Sequence, residues 1–176
     1  MKQILCFVKI WSLKHNKCIH TFSNFNAPII KIALHPYGHR FLFSTRENAF
    51  QEWSIEQDKS TQIFVGHEMP VESVDYTHDG TKVISSSYDS TIKAWNVETG
   101  ECVQTLRGHT GPITALKTSP IDIDEILTCG RDNTIKGWLL SSGECLFSID
   151  LTDAASLSIH PNGKKFVVGS WDNILQ

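Results

Sequence analysis

The stretch GHEMPVESVDYTHDGTKVISSSYDSTIKAWNVETGECVQTL, from Gly66 to Leu106, decides the fold. It contains four short apolar runs, near Val71–Tyr76, Lys82–Ser87, Thr91–Trp95 and Cys102–Leu106. Each run is about five or six residues long, dominated by β-branched side chains and bounded by Gly, Asp, Pro or Ser. Helices need longer periodic stretches, so these are strands. The turns between them fall at His78-Asp79-Gly80 and Glu98-Thr99-Gly100.

The pattern repeats on both sides. Trp11, Trp53, Trp95 and Trp138 lie 42, 42 and 43 residues apart. A constant period near 40 residues means one supersecondary unit copied in tandem. The next copy begins at Gly108-His109 and runs through Ile113, Leu116, Ile126-Leu127-Thr128-Cys129 and Asp132 to Trp138. Its one extra residue falls in the turn after the first strand, near Ser119–Asp122, where insertion costs little. The preceding copy is worn. Phe25 stands where His67 stands, Phe43 where Ser85 stands and Glu47 where Asp89 stands, while Pro36-Tyr37-Gly38 and Trp53 keep the phase. The last copy has Asp150 at the His position and Val168 at the Ser position, but keeps His160-Pro161-Asn162-Gly163 and Asp172.

These residues carry a resemblance to the WD-repeat (Trp-Asp repeat) β-propellers over essentially the whole chain. The two strong copies, Gly66-His67 to Trp95 and Gly108-His109 to Trp138, are the most specific part. The naming dipeptide itself is absent in phase: the periodic tryptophans are followed by Ser12, Ser54, Asn96 and Leu139. The literal Trp171-Asp172 is out of phase. The resemblance implies an all-β propeller of four-stranded antiparallel blades, with about four repeat periods present. The expected units are a half-blade at 5–22, blades at 24–64, 66–106 and 108–149, and a partial blade at 150–176. Residues 173–176 read as the stub of a third strand. Propellers close by building one blade from both chain ends, which removes free sheet edges. Four blades could close in this way. The family mostly uses about seven, or roughly 300 residues at this period, so the expectation is part of a larger propeller.

Composition narrows the function. Net charge is −3 and the sequence pI about 6.2, so no basic field marks nucleic acid as a partner. No apolar run has the length of a membrane span, and Lys9 breaks the N-terminal apolar stretch, which makes a poor signal peptide. A cytosolic or nuclear protein is expected. The five cysteines form no Cys-x-x-Cys pair, so neither a metal site nor a cofactor is expected. Cys18, Cys102 and Cys145 each follow a periodic Trp by seven residues, with Ser60 in the remaining copy, and read as small buried thiols. Lys93 and Lys136 recur at one strand position and read as exposed edge charges. The six histidines outside the strong motif, from His15 to His160, read mostly as solvated or turn-stabilising.

His67, Ser85, Asp89 and Trp95 form a set that His109, Thr128, Asp132 and Trp138 repeat. Ser, His and Asp together suggest a hydrolase. The structural account is stronger. A buried indole N–H needs an acceptor, a hydroxyl supplies it and donates onward to imidazole, and the imidazole donates to the turn carboxylate. The family resemblance implies this role at these positions. The duplicated set, the replacement of Ser by Thr128 and the lack of a Gly-x-Ser-x-Gly elbow argue against catalysis. No catalytic residue and no small-molecule substrate are expected.

The resemblance also implies where partners bind. In the family, two positions per blade face the top: the residue before the turn aspartate, and one at the start of the innermost strand. The first set is Arg46, Tyr88, Arg131 and Trp171; the second is Ile30, Glu72, Thr114 and Ala155. Arg, Tyr and Trp are enriched among interface hot spots. The expected function is a non-catalytic scaffold for protein–protein interactions within a complex. A substrate-recognition subunit of a ubiquitin ligase, or an assembly factor, is the alternative. The Trp-Asp-x-Arg motif of one class of ligase receptors is missing at the repeat ends.

Overall fold

A computed structural model describes residues 6–25 and 27–170, all of it strand, turn and loop. Trp171, Asp172 and the expected third-strand stub lie outside the described residues. Three four-stranded antiparallel sheets follow one another along the chain. The first contains β3 (Lys31–Leu34), β4 (Arg40–Ser44), β5 (Ala49–Ser54) and β6 (Lys59–Val65). The second contains β7 (Val71–Tyr76), β8 (Lys82–Ser87), β9 (Thr91–Asn96) and β10 (Cys102–Arg107). The third contains β11 (Ile113–Thr118), β12 (Glu125–Gly130), β13 (Thr134–Leu139) and β14 (Cys145–Asp150). Two-stranded sheets flank them: β1 (Cys6–Ser12) with β2 (Lys17–Phe25), and β15 (Ala154–Ile159) with β16 (Phe166–Ser170).

Within each sheet the strands lie in chain order, joined by tight hairpins. The first strands of neighbouring sheets touch: β3 meets β7, β7 meets β11 and β11 meets β15. The sheets are therefore blades, innermost strand first, stacked face to face. Four separate apolar layers hold them. Val8, Phe22, Phe25, Phe41 and Phe43 join the first hairpin to the first full blade. Leu42, Phe50, Phe64, Val74, Val83 and Trp95 fill the next gap. Ile84, Ile92, Leu106, Leu116, Ile126 and Trp138 fill the third, and Leu127, Cys129, Ile135, Leu157 and Val168 the fourth. Trp95 and Trp138 are each 1% exposed, which makes the period-marking residue of the strong copies the bulkiest member of a core layer. Truncating a residue of that size costs about 3–5 kcal/mol.

Glycine begins each strong copy for a steric reason. A Cβ on Gly66 would lie 3.1 Å from Cη2 of Trp95, and one on Gly108 would lie 3.0 Å from Cη2 of Trp138.

Two expectations are corrected. The periodic cysteines are not buried: Cys102 and Cys145 are exposed and Cys18 half-exposed. They lie on the outermost strand, opposite the Trp, where the register slips by one residue. Each thiol donates to the carbonyl two residues on, at 3.2–3.4 Å. The buried thiol is Cys129, on a second strand. Lys93 and Lys136 are half-buried on third strands. Their ammonium groups donate to Thr105 Oγ1 at 3.0 Å and Ser148 Oγ at 2.8 Å on the neighbouring outer strand. His35, read as solvated or turn-stabilising, is buried at 6% exposure and takes the second role: its Nδ1 accepts from the Tyr37 amide at 3.2 Å, and its ring sits edge-on to Tyr76 with centroids 4.8 Å apart.

Candidate functional site

Among the described residues, the turns that carry the sequence-derived site residues lie at one end of the blades. In an antiparallel sheet the first strand starts where the second ends and the third begins. Arg46, Tyr88 and Arg131 occupy the second-to-third-strand turns, and Ile30, Glu72, Thr114 and Ala155 lie at the starts of innermost strands. The latter three fall at β-bulges: the register slips between Val71 and Ser73, Ile113 and Ala115, and Ala154 and Ser156. A bulge re-aims the extra side chain out of the regular pleat.

The turns are fixed from beneath. Trp95 Nε1 donates to Ser85 Oγ at 2.8 Å, Ser85 Oγ donates to His67 Nε2 at 2.8 Å, and His67 Nδ1 donates to Asp89 Oδ2 at 2.8 Å. The second copy has the same three distances through Trp138, Thr128, His109 and Asp132. This direction of donation needs neutral imidazoles. Burial, chiefly, holds His67 and His109 below the usual histidine value, although the paired carboxylates oppose it. Burial pushes Asp89 and Asp132 the other way, but the hydrogen bonds they accept win and keep both below the usual carboxylate value.

Those bonds reveal partners that the motif reading missed. Thr91 Oγ1 donates to Asp89 Oδ1 at 2.6 Å, and Thr134 Oγ1 to Asp132 Oδ1 at 2.8 Å. The Glu68 and Thr110 amides donate to the other carboxylate oxygen, both at 3.0 Å. Each aspartate thus ties the loop entering its blade to the turn that presents Tyr88 or Arg131. The recurrence of Thr two residues after Asp was the available signal. Ser85 and Thr128 are fully buried, with the hydroxyl engaged by indole and imidazole at once. No substrate carbonyl reaches an oxygen held in this way. Among the described residues, no three His, Cys, Asp or Glu side chains are grouped to hold a metal ion.

On the surface above, Arg131 Nη2 donates to Tyr88 Oη at 3.1 Å, and its guanidinium carbon lies 5.3 Å from the Tyr88 ring centroid. The two residues belong to adjacent blades. Thr114 is committed differently: its hydroxyl donates to the Ala154 carbonyl at 3.0 Å and bonds the Cys129 carbonyl at 3.2 Å, linking two blades through backbone. Arg46 is exposed and Glu72 half-buried. Trp171 lies outside the described residues.

Sequence comparison matches the repeated unit that contains these residues. The family model for the WD domain, G-beta repeat, matches residues 58–96, 100–138 and 143–176, more than half of the chain. The chain belongs to the WD-repeat family. Comparison with curated proteins finds no significant match. WD-repeat domains generally mediate protein–protein interactions and are typically non-enzymatic. The first two matched WD repeats each run from the fourth strand of one blade through the third strand of the next. The covalent repeat and the folded blade are out of phase by one strand, so each WD repeat stitches two blades together.

The worn copy departs from the WD-repeat network in a specific way. Phe43 offers no acceptor, and Trp53 Nε1 instead donates to Asp58 Oδ1 at 3.3 Å. Asp58 takes the left-handed turn position, with φ of 48°, that Gly100 fills in the next blade with φ of 72°. A second buried cluster lies between this blade and the next. Glu52, 1% exposed, accepts from Tyr76 Oη and Thr61 Oγ1, both at 2.8 Å, and from Arg40 Nη1 at 3.3 Å. Its sequence signal was a glutamate in the column that holds Ala94 and Gly137 in the strong copies.

Proposed function

We propose that this chain is a non-catalytic scaffold whose protein partner seats across Tyr88 and Arg131. The observation that carries the proposal is the surface pair of exposed Arg131 and half-buried Tyr88, which bridges two blades on turns anchored by Asp89 and Asp132. Aromatic and arginine side chains on rigid turns bind with little further loss of conformational freedom. Glu72 and Arg46 add charges of both signs to the same end of the blades. Free cysteines on the outer strands support a reducing compartment, the cytosol or nucleus.

The test is affinity capture from cells with wild type and with Tyr88→Ala/Arg131→Ala. Loss of the partners with an unaltered melting curve supports the face. Full recovery of the same partners counts against it. The identity of the co-purifying subunits separates a ubiquitin-ligase receptor from an assembly factor. Labelling with a serine-reactive fluorophosphonate checks the enzyme alternative: the proposal expects no adduct at Ser85.

A further inference from the structure

Where the strong blades hold their polar tetrad, the worn blade holds a hollow. A cavity of about 400 Å³ is walled by Phe25, Phe43, Trp53 and Ile63, with Glu47 and Gln51 among its lining residues. These residues stand at the places of His67, Ser85, Trp95, Thr105, Asp89 and Lys93 in the next blade. There, Lys93 reaches across to Thr105, and Thr91 fills the space above the imidazole. In the worn blade Ala49 replaces Thr91, Gln51 replaces Lys93, and the indole has turned toward Asp58.

The lining has a definite chemical preference. Phe25 lies 4.9 Å from Phe43 and 5.1 Å from Trp53, centroid to centroid, so three clustered aromatic rings contribute to the lining. Ring faces attract cations, most strongly when the cation is partly desolvated. Glu47 is exposed yet lines the hollow, and Phe25 stands where an imidazole would otherwise engage its carboxylate. Gln51 adds an amide oxygen. Arg46 is exposed and is not part of the lining. An anion would meet ring faces and a carboxylate, both unfavourable. The volume falls in the range of small-ligand pockets.

We propose that this hollow binds an alkylammonium cation, such as a lysine side chain or its methylated form. It is separate from the Tyr88–Arg131 face and does not rest on that reading.

The test uses the whole chain with ¹⁵N-labelled tryptophan, titrated with choline and with its uncharged carbon analogue 3,3-dimethylbutan-1-ol at constant ionic strength. The Trp53 indole resonance is assigned by Trp53→Phe. The expected result is a saturable shift of the Trp53 indole N–H with choline, binding at least about fivefold tighter than the carbon analogue. The Trp95 and Trp138 indole N–H signals stay in place and report an intact fold. Glu47→Gln lowers choline affinity to that of the carbon analogue. Gln51→Lys, which puts a cation into the hollow from within, abolishes the choline shift. Equal affinity for the two probes, an unaffected Gln51→Lys variant, or no saturable Trp53 shift overturns the proposal.

Discussion

Arg131 and Tyr88, 43 residues apart in sequence, meet across a blade boundary. The guanidinium both donates to the phenol oxygen at 3.1 Å and lies 5.3 Å from the ring centroid. Arg131 is exposed, so the contact contributes at most about 1 kcal/mol to stability. Its main effect is to hold the two side chains in one orientation. Tyr88→Ala/Arg131→Ala should shift the melting temperature by less than about 4 °C while lowering partner affinity about tenfold or more. A large drop in melting temperature would assign the pair to stability instead.

The tetrads beneath are structural. His109→Ala leaves Asp132 without its imidazole donor and Thr128 without its acceptor, in a buried setting. Urea unfolding should show a loss of about 1–3 kcal/mol, and Asp132→Ala should behave alike. An unchanged midpoint in both variants would contradict the network.

Glu52 tests the same principle in the blade that lacks the tetrad. Tyr76→Phe removes the 2.8 Å donor to Glu52 Oε1 while keeping the ring in its layer. Desolvation, followed by the Glu52 charge, raises the Tyr76 phenol well above its usual range, so the O–H is a donor at neutral pH. The substitution should cost about 1–3 kcal/mol in urea unfolding, mostly from the carboxylate left short of a partner. A cost near zero would place the Glu52–Tyr76 bond outside the stabilising set.

Stability should fall on mild acidification. His67, His109 and His35 all have folded values below 6.5, with burial the largest cause. The unfolded chain therefore takes up protons first. The stability present above pH 6.5 is lost as pH falls through the depressed folded values. Asp89 and Asp132, held below 3.8, act in the same direction at lower pH. Urea midpoints at pH 7.5 and 5.5 check this. A lower midpoint at pH 5.5 is expected, and a higher one would mean that the imidazoles are charged in the folded state.

The 42-residue rhythm of the tryptophans was enough to read the strands, the blades and the tetrads, because every link in a tetrad lies within one copy of the repeat. What escaped depended on neighbours outside the copy, or on small shifts within it. The Arg131–Tyr88 contact depends on how one blade seats on the next. The exposure of Cys102 and Cys145 depends on a one-residue register slip opposite each Trp. The turned indole of Trp53 depends on two exchanges, Phe43 for the acceptor serine and Asp58 for the turn glycine. The Glu52 cluster required knowing that Tyr76 of the next blade faces the first blade's third strand.

Hydrogen–deuterium exchange on the chain with a captured partner bound is the most direct test of the scaffold account. It predicts new protection at Ser87–Thr91 and Gly130–Thr134, with Val71–Ser73 beside them, and unchanged exchange in the outer strands β10 and β14. Protection confined to those outer strands, with the Tyr88 and Arg131 turns unaffected, would contradict it.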